Sequence, residues 1–498
     1  MRGMVRGALI LALGLGLWAV PAGAQEASLD DLIRQIESAQ GAPGRFDLGL
    51  TTIDDLMESL NVPGVSIAVI QDFEIHWAKG YGIADVETGA AVDAETLFQA
   101  ASISKPVAAV AVMRAVQDGM FSLDTDINDI LTSWELDGAG FTDEQPVTPR
   151  SLTSHVSGLG DGFGFPGYDP NGPIPSAVQV LDGHSLSNVG PLFMERAPYV
   201  GQEYSGGGVT LMQQALADAH GRAFEDVMRD VVLDPIGMHR STFDQPLDAE
   251  RDRNTARAHD GDGLSRGPKW HVYPEQAAAG LWTTPTELAL LLIEVQKAVL
   301  GESDRVLSRV SALEMLSPVG VGGFGIGWAI GQRGRGWYFS HGGANWGFRA
   351  TVMAHRLHGY GLAIMTNGDG GGTLAAELSD RIAEAYGWDS TLSDLPRGYN
   401  AVERQSVDLP ASTLERYVGT YEGDEPIGRI EVTFDGSQLF VQPSGAQPIP
   451  IHAESETIFY LEGAQAEIEF ALEGGDVTAA LVRLSGREIR AVRVEGHD

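Results

Sequence analysis

The sequence predicts a mixed α/β chain of the α+β kind. One antiparallel sheet is flanked by helices, a helical subdomain sits at its side, and a small all-β domain of barrel type follows at the C-terminus. Three observations carry this. Strand-like runs stand near the start, VPGVSIAVI (62–70) and FEIHWAKGYGIAD (73–85), and return only after residue 324. Between them, from about 100 to 300, helical stretches alternate with Gly- and Pro-rich loops, so one sheet has to be assembled from both chain ends. From residue 413 the pattern changes to eight short strand-like segments separated by turns.

The chain opens with MRGMVRGALILALGLGLWAVPAGAQ: Arg2 and Arg6, an apolar run from Ala8 to Val20, then Ala22-Gly23-Ala24 before Gln25. This is the layout of a secretory signal, residues 1–24, cleaved after Ala24. The run falls short of the roughly 20 residues a bilayer-spanning helix needs. The expected product is a periplasmic or secreted protein with no stable membrane anchor; an uncleaved anchor is the alternative. Residues 27–60 read as helical, with Leu29, Leu32, Ile33 and Ile36 on one face. The two early strands meet at Gln71-Asp72. A clear helix start follows at Thr284-Pro285-Thr286-Glu287 before LALLLIEV, with an N-cap Thr, Pro at the first helical position and Glu at the third. Strand patterns at 324–330, 337–341, 347–355 and 361–367 precede a helix at 373–386. A first domain is thus expected over 25–390, a polar linker with Pro396 and Pro410 over 391–412, and a β domain over 413–498.

Composition narrows the function classes. The 498 residues hold 68 Asp plus Glu against 33 Lys plus Arg, a net charge of −35 that becomes −37 once the two signal arginines are removed. That balance argues against nucleic acid or an anionic membrane as partner. With no cysteine, disulfides, thiolate metal sites, cysteine nucleophiles and a lipidated cysteine are all excluded. Lysine occurs only at 79, 105, 269 and 297; the other 29 cations are arginine.

Against that scarcity, Ser102-Ile103-Ser104-Lys105 stands out, followed by the helical PVAAVAVMRAVQDG. On a helix, residues three apart share a face, so Ser102 Oγ and Lys105 Nζ can meet. The helix N-terminus favours negative charge developing near the serine. Lysine can act as a base where arginine cannot; burial and a second cation would favour its neutral form, and a proton-sharing tyrosine is the other route. Tyr204 follows Gly201 and precedes Gly206, Gly207 and Gly208, which let backbone approach it closely. His341 lies between the strand-like WYFS and Gly342-Gly343, where a protonated or donating imidazole would polarise Tyr204 or bind a substrate carboxylate. The plain alternatives are a solvated lysine, a packing tyrosine and a strand-end histidine.

The order Ser102-x-x-Lys105, Tyr204-Ser205-Gly206, His341-Gly342-Gly343 resembles the three motifs of the serine β-lactamase class C and penicillin-binding family. Supporting segments are LTSHVSGLG (152–160), VGQEYSGGG (200–208), AAAGLWTTPTELALL (277–291) and FSHGGANWGFRA (339–350). The resemblance runs from about residue 46 to 390 and implies the β-lactamase/transpeptidase-like form of the sheet. It also implies Ser102 as acylated nucleophile, Lys105 and Tyr204 sharing the general-base role, an oxyanion hole from the backbone N–H groups of Ser102 and Ala344, and substrate contacts at Gly206, Gly342 and Gly343. The family includes esterases, D-alanyl-D-alanine carboxypeptidases and D-aminopeptidases. Two departures matter: Gly206 replaces the usual Asn of the middle motif, and His-Gly-Gly replaces the Lys-Thr-Gly of efficient β-lactamases. The expectation is an exported serine hydrolase acting on esters, D-amino-acid amides or peptidoglycan-like peptides, without cofactor or metal and without efficient β-lactam turnover. The alternative is a catalytically weak β-lactam- or muropeptide-binding protein using the same cleft.

Competing signals are weaker. Gly263-Leu264-Ser265-Arg266-Gly267 fits a nucleophile elbow in letters but lacks the strand before and helix after. His355-x-x-His358 lacks a third metal ligand. The glycines of SGLGDGFGFPG (157–167) are framed by no strand and helix, and their expected use is a mobile cleft wall carrying Phe163, Phe165 and Tyr168.

Overall fold

Strand alternation explains how the central sheet is buried on both sides. In the computed structural model, strand β1 (Gly64–Gln71) turns Val65, Ile67 and Val69 to one core and Ala68 and Ile70 to another. The described residues are 28–38, 52–160, 165–265, 267–320, 322–388, 407, 409–423, 429–443, 449–461, 466–474, 476–484 and 487–494. The signal expected at 1–24 and most of the linker expected at 391–412 lie outside them. The chain divides near residue 390 into two compact units.

In the first unit β1 pairs with β2 (Glu74–Asp85), which continues to β3 (Ala90–Ala91). Strands β4 (Ala329–Arg333), β5 (Gly336–Asn345), β6 (Phe348–His355) and β7 (Gly361–Thr366) come from the far end of the unit. The order is β3-β2-β1-β7-β6-β5-β4, antiparallel throughout. Early and late strands join at β1 and β7, with Val65 opposite Thr366 and Ile70 opposite Gly361. The strand expected at 324–330 begins later, at Ala329, because Phe324 makes only an isolated bridge to that residue.

Three helices close one face: α1 (Leu29–Glu37), α2 (Ile53–Ser59) and, later in the chain, a helix over Gly371–Ala385. Ser28 and Thr52 each form a capping box at the start of the first two. The opposite core holds α3 (Ser104–Gln117), α4 (Gly206–His220) and α5 (Pro285–Leu300), so the helix over Gly371–Ala385 is α6. Helix α3 is apolar nearly all round and correspondingly buried, with Pro106 in its first turn, where no N–H is needed. Helix α5 starts at N-cap Thr284, whose hydroxyl accepts from Glu287 N–H, and ends at Gly301 in the left-handed region.

The second unit is a closed barrel of eight strands, from Gly419–Glu422 to Arg487–Val494, in which Thr420 pairs with Val494. Ile430, Val432, Phe459, Ile468 and Phe470 fill its interior, and Tyr417 stacks on Phe470 at 4.5 Å. The last residues of the stretch expected as linker belong to this unit: Val407 N–H bonds the Ala453 carbonyl, and the helix Ala411–Leu414 buries Leu414 in the barrel core. Among the described residues, no helix is long and apolar enough to cross a membrane.

Candidate active site

Ser102 sits in a single 3-10 turn, Ala101–Ile103, that runs straight into α3. Residues three apart nearly eclipse in such a turn, and Lys105 Nζ donates to Ser102 Oγ at 3.0 Å. Ala101 precedes the serine at φ 50°, a left-handed conformation costly for a residue with a Cβ. The turn is fixed around it: Ala100 N–H bonds the Leu281 carbonyl at 2.9 Å, and Ser104 Oγ donates to the Ala101 carbonyl at 2.6 Å while accepting from Leu281 N–H at 2.9 Å.

Lys105 is 3% exposed and also donates to the Ala278 carbonyl at 2.8 Å. A cavity of about 10 Å³ beside it is lined by Ala108, Val112, Met212 and Leu216 among others, so its stem lies in apolar surroundings. Its Nζ stands over the Tyr204 ring, 4.8 Å from the centroid. The Tyr204 hydroxyl hydrogen-bonds Ser102, and burial pushes it up to about 12. Tyr204 arrives on the loop that enters α4, whose N-cap Ser205 accepts from Gly208 N–H at 2.7 Å.

His341 lies on β5, 6% exposed, with its ring 6.1 Å from that of Tyr204. Its Nδ1 donates to the Gly342 carbonyl at 2.6 Å, while Nε2 is buried without a partner. Burial and the nearby Lys105 push the imidazole down to about 4. Of the two forms expected from the sequence, protonated or donating, burial disfavours the protonated one; the Nδ1 proton goes to the Gly342 carbonyl and Nε2 is left open.

The hairpin register orients β5. Asn345 and Phe348 close a two-residue turn, Trp346-Gly347, so they exchange both backbone bonds. The neighbouring Ala344–Arg349 pair is then the wide one, and Ala344 N–H and C=O point away from β6. Strand β4 stops opposite Ser340, leaving that edge of β5 unpaired by strand from His341 onward. Gly343 packs on the nucleophile turn: a Cβ there would stand 2.2 Å from the Ala100 carbonyl oxygen. At Gly342 the space is open, the nearest atom being the Ala350 carbonyl oxygen at 4.0 Å.

Ser102, Lys105, Tyr204 and His341 thus come together, with Gly343 and Ala344 beside them. Gly206 opens α4 next to Tyr204, and a Cβ on it would meet the Phe165 ring at 2.8 Å. Of the expected cleft wall, Phe163 lies outside the described residues. Tyr168 is instead buried in the core, its hydroxyl accepting from Asn188 N–H at 3.1 Å. His155, Phe324 and the Ala278 carbonyl also belong to the site, although no motif pointed to them. His155 stood inside LTSHVSGLG, but nothing in its spacing tied it to Tyr204. Among the described residues no group of three or more His, Asp or Glu could hold a metal ion. Ser265 lies in a loop within 3.5 Å of Arg257, and His355 Nδ1 accepts the N–H groups of Leu357 and His358.

The Beta-lactamase family matches residues 51–387, and a second family, described as a Domain of unknown function (DUF3471), matches 403–493. Penicillin-binding protein 4 of Amycolatopsis lactamdurans is 27% identical over 300 residues, 56% of this chain and 73% of that protein. Esterase EstB of Burkholderia gladioli is 29% identical over 245 residues, 47% of this chain and 59% of its own length. The octameric penicillin-binding protein homologue from Pyrococcus abyssi shares the fold, with a TM-score of 0.58 at 20% identity over 88% of this chain and 98% of that one. With the family match spanning the sheet, the nucleophile turn and the β5 edge, the chain belongs to the Beta-lactamase family of serine hydrolases.

Proposed function

We propose that the chain is an exported serine hydrolase that transfers an acyl group through Ser102 to water. The observation that carries this is the hydrogen-bonded set Lys105–Ser102–Tyr204 beside the open edge of β5. Ser102 Oγ attacks the substrate carbonyl, and its proton passes to the Lys105–Tyr204 pair, which accepts it with Lys105 as the neutral amine: the phenol takes the Ser102 proton as it gives its own to Nζ. The carbonyl oxygen, now an oxyanion, receives the N–H groups of Ser102 and Ala344. Collapse expels the leaving group, which takes the proton back. Water then attacks the acyl-enzyme by the same route and frees the acid.

Substrates are esters, D-amino-acid amides or peptidoglycan-like peptides; the likeness to esterase EstB supports the first class. Gly206 and the Phe165 ring place no amide where one would bind a β-lactam carbonyl group, and His341 is uncharged. Efficient β-lactam turnover is therefore not part of the proposal. The test is a panel of p-nitrophenyl esters, D-Ala-D-Ala peptides and nitrocefin run with wild type and Ser102→Ala. Wild-type rates in the Ser102→Ala protein would overturn the mechanism. The same departure at Gly206 favours a second reading, a weakly catalytic binder of β-lactams or muropeptides. Intact mass after incubation with a fluorescent β-lactam separates the two: a stable adduct without turnover supports the binder.

A further inference from the structure

Tyr204 is held from behind by a side chain outside all three motifs. His155 follows the short helix Pro149–Thr153 and is 1% exposed. Two of its atoms grip the backbone on either side of the tyrosine: its carbonyl accepts from Glu203 N–H at 2.8 Å, and its Nδ1 accepts from Ser205 N–H at 3.2 Å. A ring nitrogen that accepts from an N–H carries no proton, so the neutral imidazole bears its hydrogen on Nε2. The ring also covers Tyr204, with centroids 4.3 Å apart at 32°, and Phe324 meets it edge-on at 4.9 Å.

The backbone of His155 lies in the left-handed region, at φ 62°, which few residues with a Cβ enter but histidine and asparagine enter more readily than most. The charged and titratable groups facing the ring are Lys105 from α3, His341 from β5 and Tyr204 itself; Phe324 is apolar. Burial and both neighbours hold the imidazole uncharged, the state in which Nδ1 can accept.

We propose that His155 is the positioning residue for Tyr204, clamping residues 203–205 through its carbonyl and Nδ1 and setting the phenol plane through its ring. The inference rests on the reading of Tyr204 as part of the proton-accepting pair. Two variants separate the contacts of His155: a glycine removes the Nδ1 and ring contacts but keeps the carbonyl that accepts from Glu203 N–H, whereas an asparagine keeps an acceptor near Nδ1 and tolerates the same φ.

The experiment measures kcat, KM and the pH profile of p-nitrophenyl acetate hydrolysis, with thermal unfolding alongside, for His155→Gly, His155→Asn, Tyr204→Phe and Ser102→Ala. His155→Gly is expected to lower kcat about ten- to hundredfold with KM within about twofold, the scale of a misplacement of about 1 Å. Its alkaline limb should move to lower pH, because water reaches a phenol whose titration burial had raised. His155→Asn should recover part of the lost kcat. A folded His155→Gly with wild-type kcat and an unmoved limb, beside inactive Ser102→Ala and Tyr204→Phe, overturns this inference alone. Full activity in Ser102→Ala or Tyr204→Phe overturns the reading of the site and the inference with it.

Discussion

The adjacent glycines of β5 should respond to the same substitution in opposite ways. At Gly343 an added Cβ would lie 2.2 Å from the Ala100 carbonyl oxygen, 3.2 Å from its carbon and 3.3 Å from Ala101 Cβ. These atoms cannot step aside alone, since Ala101 is held at φ 50° and Ala100 N–H is bonded to Leu281. Restoring ordinary contact requires strand and nucleophile turn to part by about 1 Å, and a misplacement of that size costs about a hundredfold in rate. The overpacking itself costs about 1–3 kcal/mol of stability. At Gly342 the added methyl meets no protein atom nearer than 4.0 Å, so stability should stay within about 0.5 kcal/mol of wild type; with Gly342 an expected substrate contact, any change in activity falls on KM. The assay is kcat and KM on p-nitrophenyl acetate for Gly343→Ala and Gly342→Ala, with urea unfolding of both. Full kcat in Gly343→Ala, or an equal loss of stability in Gly342→Ala, would refute the argument that Gly343 sets the distance between strand and serine.

Three further outcomes follow from buried groups. His341 titrates near 4 in the fold against about 6.5 unfolded, so the unfolded chain binds more protons between those values and stability is lost as pH falls. Roughly 2 kcal/mol should disappear between pH 7 and pH 5; urea midpoints at both pH values measure it, and an unchanged slope in His341→Asn would count against the assignment. Glu275 is buried with neither carboxylate oxygen partnered, and burial pushes it up to about 8. The folded state then binds the extra proton, and stability falls as pH rises through that window. Glu275→Gln should raise the urea midpoint at pH 9 and leave it nearly unchanged at pH 5; an equal rise at both would contradict this. Gly206→Asn should impair ester hydrolysis by pushing on Phe165, and pairing it with Phe165→Ala should raise nitrocefin turnover above wild type. A double variant without that gain would show that Phe165 is not what excludes an amide at this position.

What the sequence made legible was whatever repeats on a short period or stands in a contiguous motif. The alternation in VSIAVI and LAIM, the cap at Thr284 and the eight turn-separated segments all report local geometry, and the strands and helix appear where they imply. Ser102 and Lys105 were readable because a 3-10 turn carries them together. His155 was not, because its Nδ1 meets a backbone N–H fifty residues away at Ser205, and a main-chain partner leaves no side-chain pattern to read. The charge state of His341 was left open between protonated and donating for a related reason: burial among Lys105, Tyr204 and Phe324 is a tertiary property. The start of the barrel unit shifted because Val407 and Leu414 pack by contacts distant in sequence.

The pairing of β1 with β7 sets a timetable for folding. Val65 finds its partner only at Thr366, some 300 residues later, and at about 5–20 residues per second a ribosome needs about 15–60 s to supply it. Contacts of such long range are formed late, after the entropy of a large loop has been lost. Until then VSIAVI has only β2 as a partner, and its other edge is uncharged and β-prone, of the kind that associates with its own copies. The chain has no cysteine with which to hold an intermediate covalently. A strand that ends buried along nearly its whole length therefore keeps one edge open through most of synthesis.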